Sequence, residues 1–185
     1  MIKPASLCVL SLVAACGGDD PVSYSAPVAI NLKAESGAVV GTALTDEKGI
    51  TTESGNPYGA FVTAARGELG ADPARVEVDE LSLTLGADST GVTALEQVYV
   101  GPVDVLFIMG DSNNTYPVGQ ITNPTGAASL DVGVSFESND ISDVDFAKFL
   151  GGGFKVVIRG NAAPDFASKG AKADLQLTFT FAAFE

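Results

Sequence analysis

Histidine is absent from all 185 residues, and so is tryptophan. Without histidine the chain lacks the commonest general base, the usual activator of a nucleophilic serine and the commonest neutral metal ligand. Triads of the Ser-His-Asp kind are thereby excluded. Without tryptophan, recognition of sugars by ring stacking has only phenylalanine and tyrosine to draw on. Cysteine occurs twice, as Cys8 and Cys16. Basic residues are scarce: 10 Lys and Arg stand against 23 Asp and Glu, a formal net charge of −13. Neutralising nucleic-acid phosphates needs a basic surface, so nucleic acid is excluded as a partner. A polybasic hold on anionic lipid is excluded on the same ground, while this acidity favours solubility. No Ser is followed by Lys three residues later, and no Gly-x-Ser-x-Gly elbow, phosphate loop or dinucleotide fingerprint occurs. A carboxylate pair of the glycosidase kind needs none of these groups and stays open.

What is present begins at the N-terminus. Lys3 precedes a mostly apolar run over residues 4–14, carried by Leu7, Val9, Leu10, Leu12 and Val13. The run is shorter than the roughly 20 apolar residues that a membrane-crossing helix needs. It ends on small residues, Val13-Ala14-Ala15-Cys16, and then turns polar at Gly17-Gly18-Asp19-Asp20. These zones are those of an export signal, and the four residues ending at Cys16 resemble the lipobox of bacterial lipoproteins. The resemblance implies cleavage before Cys16, a diacylglyceryl thioether on its sulfur and an amide-linked acyl chain on its amino group. Two or more chains hold a protein firmly to a bilayer where one does so only marginally. Gly17 in place of aspartate after the cysteine points to the outer membrane. The expected organisation is a signal peptide over 1–15, a lipidated tether over 16–25 and a single domain over 26–185. Cys8 leaves with the leader and the Cys16 sulfur is consumed. Disulfides, thiol catalysis and thiolate metal sites are then excluded, and stability rests on packing alone. The whole layout resembles secreted lipoproteins of Gram-negative bacteria, a likeness that carries no named activity.

Clusters of Gly, Pro, Asn and Asp divide the remainder into short alternating runs, the all-β pattern. Val28, Ile30, Leu32 and Ala34 give a first strand with one buried face. Residues 35–55 read as a long loop with a short strand near Val39-Val40. Asn56-Pro57 is a helix start, with Asn as N-cap and Pro in the first turn, and Gly70 is its stop. Val76 and Val78 alternate in one phase and Leu81, Leu83 and Leu85 in the other, which requires a β-bulge near Asp79-Glu80. Residues 93–99 read as a helical turn or strand. Residues 103–109 are apolar on both faces, as in a central strand. A turn at Asp111-Ser112-Asn113-Asn114 leads into a run from Tyr116 to Ile121. Leu130, Val132, Val134 and Phe136 make the cleanest amphipathic strand. Ser142 caps a short helix, with Asp145 completing an approximate capping box, and Gly151-Gly152-Gly153 ends it. Strands from Phe154 and from Leu175 to Phe181 follow. Seven to nine such strands predict a mainly β fold, an antiparallel β-sandwich of immunoglobulin-like or jelly-roll-like architecture with one or two short helices. A small closed barrel is the alternative.

Four acidic residues stand close together: Glu137, Asp140, Asp143 and Asp145. Hard cations take several carboxylate oxygens, so these are the candidate Ca²⁺ ligands. The competing reading is that Asp143 and Asp145 favour a helix N-terminus while the others are solvated. Asp111, Asn113 and Thr115 copy the opening of a calcium loop, but Tyr116 stands where glycine is needed and Thr122 where glutamate is needed, so they read as a hairpin turn. Tyr58 and Tyr116 are the tyrosines expected on loops, whereas Phe146, Phe149, Phe179 and Phe181 fall at core positions. The functional expectation is a lipid-anchored envelope protein with a non-enzymatic structural or binding role and no cofactor. Its partners would be the membrane, through Cys16, and another envelope protein or polysaccharide. The alternatives are a Ca²⁺-stabilised adhesion module and a carboxylate-based glycan hydrolase.

Overall fold

A computed structural model describes residues 22–185; the expected leader and Cys16 lie outside them. Nine strands and two helices follow one another: β1 (Ser23–Glu35), β2 (Ala43–Ile50), α1 (Pro57–Leu69), β3 (Arg75–Leu85), β4 (Tyr99–Met109), β5 (Thr115–Ile121), β6 (Leu130–Asp131), β7 (Gly133–Val134), α2 (Asp143–Leu150), β8 (Phe154–Ala162) and β9 (Lys172–Phe184). They form two antiparallel sheets, ordered β1-β9-β3-β6 and β2-β8-β4-β5-β7. The fold is the β-sandwich that the alternating pattern predicts. β1 starts at Ser23, so the last residues of the expected tether belong to the first sheet.

β9 is central to the first sheet and pairs along its length with β1 on one side and β3 on the other. Its alternate residues Leu175, Leu177, Phe179 and Phe181 are wholly buried between the sheets. Each contributes about 1.5–3 kcal/mol relative to exposure. The expected bulge is present. Val78 pairs with Phe181 and Glu80 with Thr180, leaving Asp79 unpaired and letting the apolar phase of β3 switch from Val78 to Leu81. β4 is central in the second sheet, between β8 and β5. Its outward Leu106 is buried as well as its inward Phe107.

Two strand assignments are corrected. Residues 43–50 are a strand rather than loop, and Val39-Val40 are not its centre. β2 is an edge strand whose buried side chains are few, Leu44 and Ile50, so alternation barely shows. The run 130–136 is not one strand. It is a strap that pairs Leu130-Asp131 with β3 and then crosses to pair Gly133-Val134 with β5. Alternation dictates which side chains point inward, and Val132 and Phe136 do; it does not dictate which sheet receives the backbone. The crossing depends on Gly119, because a Cβ there would lie 2.6 Å from the Gly133 carbonyl oxygen.

On the opposite flank β1 and β2 are both edges. The β1 edge is blunted in two ways. Asp46 Oδ2 accepts a hydrogen bond from the Lys33 amide at 2.6 Å, and Pro27, six residues earlier and so on the same side of the strand, has no amide to offer. Burial, opposed by the Lys33 hydrogen bond, leaves the Asp46 pKa raised from its ordinary value.

The helices close one end of the sandwich. Asn56 caps α1 by accepting from the Tyr58 amide at 3.0 Å, and Gly70 ends it at φ 71°. Tyr58, expected on a loop, is fully buried. One turn of helix carries it inward, where it meets Phe149, Phe154 and Phe181 at ring distances of 5.1–5.5 Å. Its hydroxyl donates to the Phe149 carbonyl of α2 at 3.0 Å. Gly152, at φ 73°, follows α2; a Cβ there would sit 2.7 Å from the Thr51 carbonyl carbon.

Replacing Asn56 by Ala removes a cap and lowers the unfolding free energy by about 1 kcal/mol. Tyr58→Phe costs about 1 kcal/mol through the lost hydrogen bond, and Tyr58→Ala about 3–5 kcal/mol through the cavity. Urea unfolding followed by circular dichroism reads all three as a lower midpoint at unchanged slope.

Candidate functional site

The acidic segment leads to the helical end. Ser142 caps α2 by accepting from the Asp145 amide at 3.2 Å. The carboxylate of Asp145 does not return the bond, as a full capping box would require. α2 turns it inward, where it is buried, and the β4–β5 turn and the start of β5 supply its partners. Ser112 Oγ donates to Oδ1 at 2.9 Å; Asn114 Nδ2 and the Tyr116 hydroxyl donate to Oδ2 at 2.7 and 2.8 Å. Lys148, one turn further along α2, places Nζ 3.6 Å from Oδ1 and donates to the Gly110 carbonyl at 2.8 Å. The turn presents these donors because Asp111 and Asn113 both take positive φ, 61° and 54°, a conformation that Asp and Asn tolerate better than most residues.

These donors stabilise the ionised carboxylate. The Asn114 and Tyr116 hydrogen bonds, with smaller help from Ser112 and Lys148, hold the Asp145 pKa down to about 2 against the cost of burial. Burial and the adjoining carboxylate push the Tyr116 hydroxyl up. The hub is therefore a fully satisfied structural joint between α2 and the β4–β5 turn.

The other three candidates are elsewhere. Glu137, Asp140 and Asp143 are exposed, and among the described residues no group of three His, Cys, Asp or Glu side chains converges as a cation site. The four carboxylates proposed from sequence as Ca²⁺ ligands are thus not assembled. Asp111, Asn113 and Thr115 form the expected turn and the start of β5. The roles of Ser112, Asn114 and Tyr116 were missed from sequence. Their signal was a donor-rich turn, but a separation of 31 residues hid its acceptor.

A concavity lies on the opposite flank from β1, beside the bulge. It is a groove of about 530 Å³. Asp79, Glu80, Ser82, Asp131, Thr178 and Thr180 line it, with Leu81 and Val132 beneath. The Thr180 hydroxyl donates to Glu80 Oε2 at 3.3 Å. Carboxylates and hydroxyls of this kind offer hydrogen bonds to a polar, hydroxyl-bearing surface. They include no imidazole to act as a general base and no thiol to act as a nucleophile. No family model, no curated protein and no solved structure matches this chain.

The hub sets a pH dependence. The folded pKa of Asp145 lies below its ordinary 3.8, so its stabilisation is complete above that range and is lost as pH falls from about 4 towards about 2. Asp145→Asn lowers the Tm at pH 7, and the gap to the parent closes as thermal melts are taken down to pH 2. Melts in calcium and in chelator are expected to coincide, because Glu137, Asp140, Asp143 and Asp145 do not converge on one point among the described residues, and only a ligand that the native state binds raises stability.

Proposed function

We propose that this chain is a lipid-anchored protein of the cell envelope, held through acyl chains on Cys16, with a non-enzymatic structural or binding role. The observation that carries the proposal is the sequence Val13-Ala14-Ala15-Cys16 before a polar Gly-Gly-Asp-Asp stretch. Two features support it. The folded sandwich begins at Ser23, a few residues past the proposed anchor. The groove beside the bulge is open and polar, and its carboxylates and hydroxyls offer hydrogen bonds to another envelope protein or a polysaccharide.

Cell fractionation tests the anchor. The parent protein is expected in the membrane fraction, with a mass matching residues 16–185 plus acyl groups. Cys16→Ser is expected to stay unprocessed and to carry no acyl mass. Unchanged processing and membrane recovery of that variant overturn the proposal.

A further inference from the structure

Which way an anchored domain faces is fixed by where its tether enters and by the charge around that point. Five residues, 17–21, separate Cys16 from Val22, a span of six Cα-to-Cα steps. Chain geometry limits them to about 20 Å. Val22 sits at the helical end: its carbonyl accepts from the Glu185 amide at 3.3 Å. Ser23 pairs with Phe184, which also pairs with Arg75 at the start of β3, and the Tyr24 ring lies 5.9 Å from Phe61 of α1. β1 has 13 residues and so runs about 40 Å. The far end of the sandwich therefore lies beyond the tether's reach unless the domain lies on its side.

The helical end is acidic beyond its pairings. Arg66 is paired with Asp72, Arg75 with Glu77, Lys148 with Asp145 and Lys155 with Glu47, while Lys48, beside the start of α1, has no ion-pair partner among the described residues. Glu53, Glu68, Asp111, Asp140, Asp143 and Glu185 are exposed and have no ion-pair partner among the described residues. Anionic headgroups repel such an end over about a Debye length, about 8 Å at physiological salt. The opposite end is built from the loops 36–42, 86–98, 122–129 and 163–171, which fasten to one another and to β9. Leu95 N donates to Gly126 O at 2.7 Å, Ala163 N to Val98 O at 2.8 Å and Ser36 N to Ala171 O at 2.9 Å.

Resting on the lipid-anchor reading above, we infer that the acylated protein stands with its helical end towards the bilayer. That end is held off anionic headgroups by its own unpaired carboxylates, and the four-loop end faces away from the bilayer.

The mature chain contains no cysteine besides Cys16, so a single probe can be placed at will. Gly67→Cys on α1 has open space around its Cβ, and Thr125→Cys lies exposed in a far loop. Each acylated variant is labelled with a fluorophore and bound to vesicles carrying an acceptor dye, made of phosphatidylcholine alone or with phosphatidylglycerol. Energy transfer from position 67 is expected to exceed that from position 125 several-fold. It is expected to fall as phosphatidylglycerol is added at low salt and to recover at high salt. Asp140→Asn with Asp143→Asn weakens that dependence. Equal or reversed transfer from vesicle-bound protein, or no response to anionic lipid, overturns the orientation alone. Failure to float with either kind of vesicle overturns the anchor, and the orientation with it.

Discussion

The contact of Tyr58 with Phe149 is the joint on which the helical end depends. Its ring fills the space between the sheets beside Phe154 and Phe181, and its hydroxyl engages the last turn of α2. Phe149 in turn meets Phe107, Phe136 and Phe154. One ring thus links α1 and α2 with strands of both sheets. With no disulfide available to the folded residues, this interdigitation and the buried faces of β4 and β9 carry the stability.

Much of the architecture was legible because it is written in local chemistry. The phase change between Val78 and Leu81 required an extra residue in β3, and Asp79 is that residue. Asn56-Pro57 and Gly70 marked both ends of α1 through capping and a left-handed turn. Ser142 marked the start of α2. β2 was hidden because an edge strand with two buried side chains leaves little periodicity. The strap was misread because side-chain alternation says nothing about which sheet the backbone joins. Tyr58 was misplaced for a similar reason: Pro and Gly beside it read as a loop, while one turn of helix turns it to the core.

The candidate site divides the same way. Asp145 is legible as a carboxylate near a helix start, and Ser142 does cap its amide, but its carboxylate turns to the β4–β5 turn instead of completing the capping box. Its burial and its partners depend on the β4–β5 turn arriving from a distant part of the chain. A cluster of acids in sequence is not a cluster in space: one member points inward to hydroxyl and amide donors, and three face solvent. The groove beside the bulge gathers Asp79, Asp131 and Thr178 from three strands, a juxtaposition that no local pattern encodes.

The central place of β9 has a kinetic consequence. β1 and β3 each bond to it and not to one another, so the first sheet has no hydrogen-bonded middle until residues 172–184 arrive. Ser23 meets Phe184 across almost the whole folded length, which gives the topology high contact order and slow closure. Until that last segment docks, the early strands present bare edges to their neighbours. A chain emerging N-terminus first therefore has most of its length exposed to misassociation before its first sheet can form.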